Sequence, residues 1–152
     1  MNGQNSMDSR EYLKILKQEA QSGREVSMII SGNSMQPFLE HGRDVIYFTA
    51  PRRKLKRGDM VFFTRPDGSF VMHRIISIRD GKFKAIGDNQ DTCEGPFDTE
   101  SIFALVTKVK RKNRMIGPSS FVWLFFRFIW LNIIPLRQFL IKSYRSLSRL
   151  WK

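Results

Sequence analysis

Apolar positions recur at helical spacing only at the two ends of this chain; between them the pattern is that of strands and turns. Over residues 9–21, Tyr12, Leu13, Leu16 and Ala20 fall on one side of a helix, with Lys14, Lys17 and Gln18 elsewhere. Ser9 as N-cap, Glu11 in the first turn and Gly23 as the stop complete this predicted amphipathic helix. From Val26 the periodicity shortens. Strands are predicted over 26–30, 44–48, 60–63, 70–78, 82–86 and 102–109. Pro66-Asp67-Gly68-Ser69 and Asp80-Gly81 read as hairpin turns, and Gly42 and Gly58-Asp59 as turns that open strands. Turns roughly 8–12 residues apart, with no strand–helix–strand rhythm, predict a mainly β domain, a coiled antiparallel sheet or barrel. Residues 87–98 are left as a long loop that carries Asp88, Asp91, Glu94 and Asp98. It lacks the alternating acids of an EF-hand.

Helical spacing returns near the C-terminus. Residues 121–136 are rich in Trp, Phe, Leu and Ile, but Arg127, Asn132 and Pro135 interrupt them. As a helix this run would span about 24 Å at roughly 1.5 Å per residue, short of the roughly 30 Å hydrocarbon core of a bilayer. On a helical wheel Arg127, Gln138, Lys142, Arg145, Arg149 and Lys152 share a face, and a basic cluster over 108–114 precedes them. The pattern predicts an amphipathic helix, kinked at Pro135, in the interface of an anionic membrane. A short tilted span and docking onto a partner protein are the alternatives. The organisation expected is a helix over 1–23, a main domain over 24–110 and a membrane-associating tail over 111–152.

Charge sharpens this division. The net charge is +12, yet residues 1–107 hold 15 Lys/Arg against 14 Asp/Glu, while 108–152 hold 11 Lys/Arg and no acid. The basic character therefore belongs to the aromatic tail, which favours a membrane surface over nucleic acid. A lone cysteine, Cys93, excludes an intrachain disulfide, and with only two histidines a structural zinc site is not expected. No cofactor or metal is expected. Residues 1–20 show no apolar core of a signal peptide.

The candidate chemistry centres on Ser31-Gly32-Asn33-Ser34-Met35-Gln36-Pro37. Gly32 and Asn33 tolerate positive φ, and Pro37 blocks immediate helix growth, so Ser34 is expected on a rigid corner. By itself this is as readily a plain turn between strands. His73 stands inside a predicted strand, where a histidine is more often a packed residue than a catalyst. Asp88 follows at the end of the next hairpin strand. A serine hydroxyl is a poor nucleophile unless a base takes its proton. Imidazole titrates near neutrality and can take and return that proton, and a carboxylate fixes its tautomer. The N–H of Ser34 is the natural oxyanion donor.

Four stretches together, 32–37 (Gly-Asn-Ser-Met-Gln-Pro), 57–62 (Arg-Gly-Asp-Met-Val-Phe), 73–76 (His-Arg-Ile-Ile) and 87–89 (Gly-Asp-Asn), resemble the conserved boxes of the signal peptidase I family and its S24/S26 relatives. The resemblance covers roughly residues 26–109. It implies a coiled antiparallel β fold of the signal peptidase/LexA-like type and a serine endopeptidase that cleaves a precursor or secreted peptide at or near a membrane. His73 stands where many members carry a lysine base, as in the histidine branch typified by the endoplasmic-reticulum signal peptidase. Ser34 then carries over as nucleophile, His73 as base and Asp88 as its partner, with Asp91 and Glu94 as alternatives for that third place. Asp59 carries over as a structural turn residue. Two other functions remain open: a DNA-binding regulator related to the self-cleaving repressors, and a catalytically inactive peptidase-like adaptor. The first lacks a helix-turn-helix segment and an Ala-Gly or Cys-Gly autolysis site.

Overall fold

The computed structural model describes residues 3–150. Helix α1 (Gly3–Gln21) is followed by β1 (Val26–Ile29), β2 (Val45–Thr49), β3 (Met60–Thr64), β4 (Phe70–Arg79), β5 (Lys82–Ile86), β6 (Glu94–Asp98), β7 (Ile102–Arg111) and β8 (Arg114–Ile116). All pairings are antiparallel, in the order β1-β2-β7-β3-β4-β5-β6, with β8 on β7. The expectation of a mainly antiparallel β fold holds; the barrel alternative does not, because β1 and β6 remain as edges. Pro96 in β6 has no N–H to offer a further strand.

The sheet nevertheless curls. Phe63 of β3 lies 5.1 Å from Phe83 of β5 and 5.4 Å from Phe97 of β6, centroid to centroid. These strands are not neighbours of β3, so their rings meet only if the sheet bends around β4. The inside of the bend is a small core of Val61, Phe63, Ile75, Phe83 and Ala85. Met60, Phe62 and Met72, on the opposite face, join the larger core with Phe38, Leu39 and Phe48. Burial on both faces explains why 60–63 read as a continuous apolar run without alternation.

Several boundaries shift for local reasons. Helix α1 begins at Gly3, so Ser9 is inside it and does not cap it. Leu13 and Leu16 are half-buried and Ala20 is buried, whereas Tyr12 faces solvent. The loop expected over 87–98 contains β6, which Gly95 and Pro96 disguise. The basic cluster over 108–114 is the end of a β7–β8 hairpin, closed by Lys112 and Asn113 at φ 48° and 62°.

The tail differs most from expectation. It comprises α2 (Phe121–Leu124), a π-helical turn (Phe125–Ile129), 3-10 turns over Trp130–Asn132 and Ile134–Leu136, and α3 (Arg137–Leu150). The helical run bends by 93° between Asn132 and Ile134, just upstream of Pro135. Among the described residues no single helix is long and apolar enough to cross a membrane. Trp123, Phe126, Trp130 and Ile141 belong to the same core as Ala20 and Phe38. Phe38 meets Phe126 at 4.8 Å and Trp123 at 5.8 Å.

The face expected to meet headgroups is turned partly inward. Arg127 approaches Asp59 at 3.6 Å, Gln138 donates to Asn89 O, and Arg145 donates to Gln36 Oε1. Lys142 and Arg149 stay exposed; Lys152 lies outside the described residues. Outward instead point Phe121, Phe128, Leu136, Phe139 and Leu147, all more than half exposed.

Candidate active site

Ser34 sits in a loop whose geometry the glycines permit. Gly32 has φ +87°, a left-handed value that costs a side chain strain, and its N–H donates to His41 Nδ1 at 2.9 Å. The peptide between Gln36 and Pro37 is cis. The 87–90 loop packs on this corner: Asn89 N–H donates to Ser34 O (2.8 Å) and Asn89 Nδ2 to Asn33 O (3.2 Å). That approach requires glycine at 87, where a Cβ would stand 2.5 Å from Ser34 O. Gly87→Ala is therefore expected to displace the Ser34 backbone and destabilise the fold by about 1–3 kcal/mol, the usual cost of overpacking. A urea midpoint equal to wild type would contradict this contact.

The tail grips the same loop from behind. Trp130 Nε1 donates to Asp88 O at 2.8 Å. The fully buried Arg137 guanidinium donates to Gly87 O, Gln90 O and Trp130 O at 3.0–3.1 Å. Burial lowers the Arg137 pKa, Asp88 opposes that shift and Arg74 adds to it. The sequence pattern did not single out Arg137, because its role depends on contacts across about 47–50 positions.

Ser34 and His73 line one cleft of about 380 Å³, together with Met28, Ile30, Phe70 and Met72. Ser34 is half-buried and His73 is 2% exposed. Among the described residues no hydrogen bond joins the Ser34 hydroxyl to the His73 ring, and none engages the Ser34 amide N–H. In unliganded sites such catalytic bonds are often long and tighten only around substrate.

Asp88 does not hold His73. On β4, His73 and Arg74 point to opposite faces of the sheet. Arg74 takes both Asp88 oxygens (Nε to Oδ1 2.9 Å, Nη2 to Oδ2 2.8 Å) and also donates to Gly58 O. Arg74 and Asp88 are fully buried. Asp91 is exposed, near Thr92. The carboxylate at His73 is Glu94, whose Oε1 stands 2.5 Å from Nδ1. The contact is close, but the ring N–H is not aligned with the oxygen, so it is a short polar contact rather than a well-directed hydrogen bond. Glu94 reaches His73 because the curl of the sheet carries the start of β6 back over the β3–β4 hairpin.

Arg65, on that hairpin, completes the group. It donates from Nε to Glu94 Oε2 (2.8 Å) and from Nη2 to Oε1 (3.0 Å), and it also lines the cleft. Burial alone would raise the Glu94 pKa; the Arg65 bonds and the His73 and Arg65 charges outweigh it and hold the carboxyl below its usual value. For His73, burial dominates and lowers the pKa, Glu94 opposes it, and Arg65 adds to the lowering. The imidazole is thus favoured in its neutral, proton-accepting form, with Nδ1 toward Glu94 and Nε2 left for the cleft. Asp59 is structural, as expected: Arg53 and the Lys56 N–H bind its carboxylate. Among the described residues no cluster of His, Cys, Asp and Glu suits a metal ion. No protein-family model and no curated protein matches this chain.

Proposed function

We propose that this protein is a serine endopeptidase of the signal-peptidase-like type, with Ser34 as nucleophile, His73 as general base and Glu94 as the carboxylate that orients it. The observation that carries the reading is the single cleft that holds Ser34 and a neutral-biased His73 whose Nδ1 faces a carboxylate. The Ser34 hydroxyl oxygen attacks the scissile carbonyl carbon while Nε2 takes its proton. The tetrahedral oxyanion is met by the Ser34 N–H. Collapse breaks the C–N bond, and the imidazolium returns the proton to the leaving amine. Water, activated by the same imidazole, then hydrolyses the acyl-enzyme. An extended substrate can pair with the free edge of β1, beside the cleft residues Met28 and Ile30. The open, curled antiparallel sheet is compatible with the signal peptidase/LexA-like architecture that the sequence boxes imply.

The substrate class is a precursor peptide or secreted protein at a membrane surface. The support for the surface is the exposed apolar face of the tail with Lys142 and Arg149 beside it. No nucleic acid partner is needed, since cations of the tail are engaged with the domain through Asp59, Gln36 and the 87–90 carbonyls.

The test is Glu94→Gln assayed across pH. Wild-type kcat/KM should rise with pH through the lowered His73 pKa, hence half-maximal below the ordinary histidine value of about 6.5. The variant loses the group that opposes burial, so its acid limb should move lower still, while its plateau falls on the order of 10²–10⁴-fold. A variant with an unchanged plateau would remove Glu94 from the mechanism.

A further inference from the structure

A second cavity, of about 600 Å³, lies between α3 and the segment that follows Ser34. That volume is within the roughly 300–1,000 Å³ range of small-molecule sites. Its inner wall is apolar, with Phe125, Phe126, Trp130, Leu140 and Ile141. Its rim is basic. Arg43 is neutralised by Asp44, but Arg111, Lys112 and Arg145 are in no ion pair among the described residues. Glu40 is the only acid in the lining; Arg111 donates to Phe38 O and Pro37 O and Arg145 to Gln36 Oε1, all neutral acceptors, so three cations without an ion pair against one acid leave a surplus of two positive charges. The mouth adjoins the exposed apolar face of the tail, since Leu140 and Tyr144 belong both to the cavity lining and to that face.

We infer that this groove binds one anionic phospholipid drawn from the bilayer on which the tail lies, its phosphate on Lys112 and Arg145 and an acyl chain among the aromatic rings. The occupant follows from the chemistry of the lining. A neutral apolar ligand leaves the cations unmatched, and a free phosphate leaves the aromatic wall wet; an anionic amphiphile satisfies both. A lipid source follows from continuity with a face that a bilayer interface would cover. Gln36 and Pro37 form one wall, so the bound lipid would rest against the loop of Ser34. The inference rests on the membrane-surface reading and is independent of whether Ser34 is catalytic.

The experiment uses native mass spectrometry of the full chain in detergent with phosphatidylglycerol, phosphatidylcholine, palmitate or inorganic phosphate added. Wild type should retain a single phosphatidylglycerol at least tenfold more than phosphatidylcholine. Lys112→Gln/Arg145→Gln should lose that preference. Lys142→Gln/Arg149→Gln, which removes as many charges from exposed positions outside the groove, should keep it. Circular dichroism confirms that both variants fold. Equal loss in the two variants, equal retention of both lipids, retention of palmitate or phosphate in place of phosphatidylglycerol, or no retained lipid would each overturn the inference. Sedimentation with phosphatidylglycerol vesicles separates the two readings: binding to vesicles without single-lipid retention overturns the groove alone, whereas no binding overturns the membrane reading as well.

Discussion

Ser34→Ala is expected to lower kcat on a cleavable precursor by 10⁴–10⁶-fold, about the loss seen when a serine nucleophile is removed from a triad enzyme. The magnitude follows from what is deleted. Without the hydroxyl no acyl-enzyme forms, and the residual rate comes only from binding and from the oxyanion donor. The fold should barely notice. Ser34 is half-buried, and the contacts that fix its loop are to its backbone oxygen, through Asn89, and not to its hydroxyl. The variant should therefore match wild type in urea midpoint to within about 0.5 kcal/mol, the usual range for a substitution away from packed features. Loss of both activity and fold would mean that the serine is a structural turn residue.

Asp88→Ala should show the reverse profile. It would strand the Arg74 guanidinium, fully buried beneath Phe38, with Gly58 O as its remaining acceptor. Breaking one partner of a buried pair typically costs about 3–5 kcal/mol. Against a total stability of roughly 5–15 kcal/mol for an ordinary domain, that removes a third or more. The urea midpoint should fall accordingly, and the cleft should be lost with the fold. Replacing both partners by apolar residues of similar volume, Arg74→Met with Asp88→Leu, should recover much of the stability, because a buried pair is worth little over a well-packed apolar one. If Asp88→Ala kept its stability and lost only kcat, Asp88 and not Glu94 would be the partner of His73.

This contrast marks where sequence reasoning reached and where it stopped. Local chemistry was legible. Gly32 at positive φ, the Asp80-Gly81 hairpin and the strand that bears His73 follow from short-range rules. Position along the chain suggested Asp88 as the acid, since it follows β5 directly. Which of the two acids, Asp88 or Glu94, lies beside His73 is set, however, by two nonlocal facts. Arg74, next to His73 but on the other face of the sheet, captures Asp88; the curl around β4 delivers Glu94 to the opposite side. Neither the face nor the curl is written in residue order. One local signal was available: alternation along β4 places residues 73 and 74 on opposite faces, so a single acid could not readily serve both.

The tail shows the same limit in another form. Its amphipathic pattern was visible, and its apolar face is indeed exposed over Phe121, Phe128, Phe139 and Leu147. What the pattern could not say is where its polar face would go. Arg137 and Trp130 find the carbonyls of the 87–90 loop, partners dozens of residues away that hydrophobic periodicity does not encode. The consequence is mechanical: the segment expected to be an appendage supports the loop whose Asn89 holds Ser34 in place.

The central claim is that Ser34 is a nucleophile activated by His73. Its most direct test is covalent labelling of the full chain with a fluorophosphonate, read by intact mass and by peptide mapping. One adduct is expected, on Ser34, absent in Ser34→Ala and slowed by at least 10²-fold in His73→Ala, the lower end of what a general base contributes. No adduct on the folded wild-type chain, or one that forms on Ser34 equally fast without His73, would contradict the account.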